Sequence, residues 1–142
     1  MKLEETYEIL KNSGQRITWQ KRAILSVFAC NENKMLSVNQ IEQELDAEEK
    51  MDSATIYRNV QVFQELDILE LLMDENGVAN YILRCSSGHH HHLICKKCGK
   101  MISIECDKNK FEDITKDYGF VEDYHTLEIY GTCMQCAKEK NR

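Results

Sequence analysis

The 142-residue sequence predicts an α+β chain in two parts: a helical region closed by a β-hairpin, then a smaller α/β region bearing metal-ligand residues. Three observations predict it. Apolar residues recur at helical spacing through successive capped segments before residue 69. An Asn-Gly pair then separates two apolar runs, and two CxxC pairs and a run of four histidines follow residue 84.

"TWQKRAILSVFA" (18–29) opens with Thr18 as N-cap and sets Ala23, Val27 and then Cys30 on one stripe, which assigns Cys30 to the core. "SVNQIEQEL" (37–45) opens with Ser37 and Gln40 as a capping box, and Val38, Ile41 and Leu45 keep helical spacing. "DSATIYRNVQVFQELDIL" (52–69) turns Ile56, Val60, Phe63 and Leu66 inward and leaves Thr55, Arg58, Gln61 and the tip of Tyr57 outside. "LELLMD" and "VANYILR" flank "ENG" (75–77), a strong hairpin signal. Three helices followed by a hairpin is the order of a winged helix-turn-helix.

A net charge of −6 argues against nucleic acid as a partner until it is mapped along the chain. Residues 1–84 carry nine basic and fifteen acidic side chains, whereas residues 85–142 carry nine of each. Yet no acid lies between Ile9 and Asn31, where Lys11, Arg16, Lys21 and Arg22 cluster, and "SATIYRNVQVFQ" (53–64) is acid-free around Arg58. Arg16, Arg22, Ser53, Thr55, Tyr57 and Arg58 are the candidate DNA contacts. The serine and threonine suit phosphate at a helix N-terminus, arginine suits a base edge or a phosphate, and tyrosine suits a thymine methyl. The competing assignment is a helical protein-interaction module with solvated basic residues.

Cys95-Lys-Lys-Cys98 and Cys133-Met-Gln-Cys136 each form a tight turn presenting two thiolates, and two such knuckles complete a tetrahedral zinc site. Four protein ligands close the site, so this zinc is expected to be structural. The alternative is a pair of redox motifs. If "HHHHLIC" (89–95) is extended, His90 and His92 share one face and His89 and His91 the other. Each pair then needs further ligands, and Cys85 and His125 are available. A zinc hydrolase or deaminase typically places a carboxylate in an HxE arrangement, and no HxE occurs. The chain has no apolar run long enough to span a bilayer, and "MKLEETYEIL" lacks a secretory apolar segment, so a cytoplasmic location is expected.

With these motifs in order, the sequence resembles the ferric uptake regulator family of metal-sensing repressors. "GQRITWQKRAIL" (14–25) resembles its first DNA-domain signature, with Trp19 where proline is usual. "SATIYRNVQVFQELDILE" (53–70) is similar to its recognition helix, and "HHHHLICKKCGKMI" (89–102) and "YHTLEIYGTCMQC" (124–136) to its metal-binding half. The "YILRC" stretch and the all-histidine run look most like the zinc-uptake regulators within it.

The resemblance implies a winged-helix DNA-binding domain over 1–84, a hinge near 84–88, and an α/β dimerisation and metal-binding domain over 85–142. It implies a regulatory site of Glu70, Cys85, His90 and His92, and an auxiliary site of His89, His91 and His125 with an acid, Asp107 or Glu112. The segment after Cys98 is about two residues short of the family pattern, and a lysine falls near the expected acid; Cys106 acquires no role. The function implied is a homodimeric repressor of metal-uptake genes on AT-rich inverted repeats, with Zn(II) as corepressor. Thiolate with imidazole suits zinc, whereas harder donors would suit Fe(II) or Mn(II). An iron- or peroxide-sensing repressor on the same scaffold is the alternative.

Overall fold

The computed structural model describes residues 1–84 and 89–139. They fall in two compact units, Met1–Ser86 and Ser87–Arg142.

In the first unit, α1 (Leu3–Asn12), α2 (Trp19–Cys30), α3 (Val38–Glu44) and α4 (Ser53–Glu65) surround a core closed by a sheet. The helix starts follow local chemistry. Thr18 Oγ1 accepts the Lys21 N–H at 3.3 Å, and Ser37 and Gln40 make the reciprocal capping box at 3.2 and 2.9 Å. Asp52 caps α4: its carboxylate accepts the Thr55 N–H at 2.8 Å. Ile24, Leu25 and Phe28 from α2 meet Ile41 from α3 and Ile56, Val60 and Phe63 from α4 in the core. Burying each large side chain contributes about 1.5–3 kcal/mol.

β2 (Leu69–Met73) and β3 (Ala79–Leu83) form the wing, and β1 (Leu36–Ser37) joins them in the antiparallel order β1-β3-β2. The turn between β2 and β3 is held by the Asp74 carboxylate, which accepts the N–H groups of Asn76 and Val78 at 2.8 and 2.9 Å. Gly77 there has φ +78°, a conformation that favours glycine. Two details differ from the sequence expectation. The unit has four helices where three were expected, α1 being the additional one, and Cys30 is exposed rather than in the core. Cys30 is the final residue of α2, and the buried face of the helix ends at Val27 and Phe28.

In the second unit, β4 (His90–Cys95) lies at the centre of the order β5-β4-β6. It pairs antiparallel with β5 (Met101–Glu105) and parallel with β6 (Glu128–Gly131). α5 (Lys108–Asp117) connects β5 to β6, and α6 (Met134–Glu139) follows. Among the described residues here the buried apolar side chains are few: Ile94 and Met101, with the thiols of Cys95 and Cys136. Among the described residues, no helix is long and apolar enough to cross a membrane.

Candidate metal centres

Three sets of ligand residues hang on β4. At its end, the Cys95–Gly99 turn is closed by the Gly99 N–H donating to the Cys95 carbonyl at 3.0 Å, with Gly99 at φ +75°. The second knuckle leaves β6 and enters α6. Pairing of Cys95 with Gly131 and the Lys96 N–H bond to the Gly131 carbonyl at 2.8 Å bring the knuckles together. The four sulfurs of Cys95, Cys98, Cys133 and Cys136 lie within 4.8 Å of one another, and Cys98 Sγ is 3.9 Å from Cys133 Sγ. A tetrahedral zinc with bonds of about 2.3 Å to sulfur separates two sulfurs by about 3.8 Å.

The electrostatics of this cluster are uneven. Backbone N–H groups, that of Cys133 first and then those of Cys98 and Lys97, pull the Cys95 thiol down to about 6. Cys136 is pushed up to about 12, by its hydrogen bond with Cys133 first and then by burial. Four converging sulfurs cannot all ionise side by side without a cation among them. The donor set therefore fits a zinc tetrathiolate.

On one face of β4, His89 and His91 meet His125 and Cys106. The Nε2 atoms of His89 and His91 lie 3.0 and 3.2 Å from His125 Nε2, and Cys106 Sγ lies 3.1 Å from it. Burial first, and then the charges of His89, His125 and His92, hold His91 below the usual imidazole range. His91 is 2% exposed, and its Nδ1 has no hydrogen-bond partner among the described residues. Glu122 hydrogen-bonds the other ring nitrogen of His125, Nδ1.

The three histidines expected at the auxiliary site are thus together, but neither expected acid joins them. The carboxylate of Asp107 caps α5, accepting the Lys110 N–H at 3.4 Å. Glu112 lines one pocket with His89, His125, Lys108 and Glu122 but is not among the ligand groups that lie within 4.8 Å of one another. The fourth member of the cluster is Cys106, just past the end of β5.

The expected regulatory residues come from both units. His90 and His92 share the opposite face of β4, and His92 is 6% exposed. A carboxylate oxygen of Glu128 on β6, its partner in register, lies within 4.8 Å of a ring nitrogen of His92. Glu70 is on β2 of the first unit, paired with Ile82. Cys85 lies outside the described residues. Sequence reasoning missed Glu122 and Glu128 and left Cys106 open as a surface thiol or an unexpected ligand; the only signal for the two acids is their spacing of three residues on either side of His125.

The candidate DNA contacts lie on the first unit. Arg16, Ser53, Tyr57 and Arg58 are exposed and Thr55 is half-buried. Arg58 Nη2 donates to Thr55 Oγ1 at 3.4 Å, and the Arg22 guanidinium sits 5.0 Å from the centre of the Tyr7 ring.

A winged helix joined to a sheet that carries soft and nitrogen ligands defines a class: metal-binding, DNA-binding repressors. Residues 12–130 match the ferric uptake regulator family, and the chain belongs to that family. It is 32% identical over 142 residues to the peroxide operon regulator of Bacillus subtilis, covering 98% of this chain and 96% of that one. It is also 32% identical to the ferric uptake regulation protein of Bordetella parapertussis, covering 91% and 94%. Among solved structures, a zinc-bound manganese uptake regulator superposes with a TM-score of 0.73 at 26% identity, covering 91% of this chain and 98% of that one.

Proposed function

We propose that the protein is a cytoplasmic, homodimeric repressor with zinc as corepressor, controlling metal-uptake genes. The observation that carries the zinc assignment is the abundance of sulfur among its ligands. Cys95, Cys98, Cys133 and Cys136 hold a structural zinc. Glu70, Cys85, His90 and His92 form the regulatory site, and a thiolate with imidazoles and one carboxylate suits tetrahedral Zn(II). His89, His91 and His125 belong to an auxiliary site.

Ile102, Ile129 and Met134 stand half to three-quarters exposed in one protomer, which supports a dimer that covers them. In such a dimer two α4 helices enter successive major grooves and read an AT-rich inverted repeat. Arg16, Arg22, Ser53, Thr55 and Arg58 contact phosphate or base edges, and Tyr57 meets a thymine methyl. Zinc acts as corepressor by binding the DNA-competent arrangement more tightly. Moving its population from about 1:99 to 99:1 takes roughly 5.5 kcal/mol of differential affinity. Members of the family are transcription regulators, and the chain acts as a regulator rather than an enzyme.

A second reading, an iron- or peroxide-sensing repressor, is supported by the names of the two relatives and by the nitrogen and oxygen donors of His92 and Glu128. Binding to an AT-rich inverted repeat, followed while free Zn(II), Fe(II) or Mn(II) is raised, separates them. Zinc-driven binding that peroxide leaves intact supports the zinc reading. Binding driven by iron or manganese, and lost with peroxide, overturns it. Binding that ignores every metal overturns both.

A further inference from the structure

Cys106 stands out as a thiol in a cluster where the family resemblance calls for an acid. Its place follows from strand pairing. His90 faces Glu105 across β4 and β5, so continuing that antiparallel register sets Cys106 opposite His89. His125 arrives from the segment before β6. Its Nε2 sits within 3.0–3.2 Å of three other potential donors: the His89 and His91 nitrogens and the Cys106 sulfur. A tetrahedral ion with bonds of about 2.0 Å to nitrogen separates two nitrogens by about 3.3 Å. Four lone-pair donors this close repel one another unless a proton or a cation lies among them, and one cation satisfies all four.

Around that point the surroundings are ordered for a metal. The Glu122 carboxylate hydrogen-bonds Nδ1 of His125, which turns Nε2 towards the cluster. Phe111 of α5 covers His91 and His125 with an apolar ring. His91 is almost wholly buried, and its Nε2 points at that of His125 from 3.2 Å.

We propose that His89, His91, His125 and Cys106 bind one tetrahedral zinc-class ion through three Nε2 atoms and one thiolate, with Glu122 as the positioning residue for His125. The site rests on the metal-binding reading above and changes its chemistry. Binding forms the sulfur–metal bond as the Cys106 S–H proton leaves to solvent, with no change of oxidation state. All four positions are filled by protein, so the site is closed to substrate. A thiolate in place of a carboxylate favours zinc or cobalt over manganese or magnesium.

The test needs no DNA, so its failure is separable from failure of the repressor reading. The full chain, its tetrathiolate site already filled with zinc, is labelled with N-ethylmaleimide with and without added zinc, and each cysteine is read by peptide mass spectrometry. Cys106 is expected to be protected by zinc, while the exposed Cys30 labels at the same rate in both. In a Cys85→Ser background, cobalt is expected to give a sulfur-to-cobalt charge-transfer band that Cys106→Ser removes. Glu122→Ala should weaken this metal by about 10–100-fold, and Glu122→Gln, which still accepts a hydrogen bond, by less. Cys106 labelling that zinc does not slow, or a charge-transfer band that survives Cys106→Ser, overturns the site. Unchanged affinity in Glu122→Ala overturns the positioning role.

Discussion

The ring of Phe111 lies against that of His125, with centroids 4.5 Å apart and planes 24° from parallel. This contact joins α5 to the segment before β6 and keeps one imidazole face out of water. Phe111→Ala is expected to lower thermal stability by about 1–2 kcal/mol, less than a fully buried ring because Phe111 is only half-buried. It should also speed release of metal from the histidine cluster while the four-cysteine site keeps its zinc. Calorimetry and metal release to a chromogenic chelator read the two effects separately.

Stripping the tetrathiolate zinc should cost the second unit its fold. Its buried apolar side chains are few, whereas structural zinc sites supply apparent binding energies of about 10–16 kcal/mol. A strong chelator, or Cys98→Ala, is expected to abolish dimers in size-exclusion chromatography while the far-ultraviolet helix signal of the first unit persists. A dimer that survives complete zinc removal would contradict a structural role.

Asp52 puts a negative charge at the N-terminus of α4, and its carboxyl is held below the usual range by its hydrogen bonds with Thr55. A carboxyl whose folded value is depressed contributes stability above its unfolded value, about 4, and loses it as the pH falls through the folded value. Asp52→Asn keeps a capping acceptor and removes the charge. It should leave helix content at neutral pH unchanged and tighten DNA binding if α4 approaches phosphate; fluorescence anisotropy across a salt series checks this.

In the first unit, Phe63 is fully buried between the helices and the wing. Phe63→Ala should cost about 3–5 kcal/mol, and Ser37→Ala, which removes half of a capping box, about 1 kcal/mol. Urea unfolding of the zinc-loaded protein gives both. Equal effects would contradict the larger share assigned to the core.

Much of the helical half is legible in sequence because its signals are local. Thr18, Ser37 and Gln40 mark helix starts within one turn, and Ile56, Val60 and Phe63 repeat at helical spacing. Cys30 is misjudged because periodicity alone does not say where a helix ends. In the second half, alternation along "HHHH" is enough to separate His89 and His91 from His90 and His92. Cys106 and Glu128 are not legible in this way, because their positions depend on the register of β5 and β6 against β4, set by pairings between strands and not by local spacing. Asp107 is an acid in the expected neighbourhood, but it stands at the first turn of α5, where capping a backbone N–H takes its carboxylate.

The placement of three ligand sets along β4 has a consequence for how the sequence can vary. Side-chain direction in a strand is a matter of parity, so a one-residue insertion between His92 and Cys95 would exchange the two imidazole faces relative to the sulfur end. A two-residue insertion would preserve them and shift only the spacing to Cys95. From His91 to Cys95 the strand runs four residues, about 13 Å of stiff backbone. An ion that pins the imidazole end thereby fixes the phase in which the sulfur end is presented, and the two ends can change only in step.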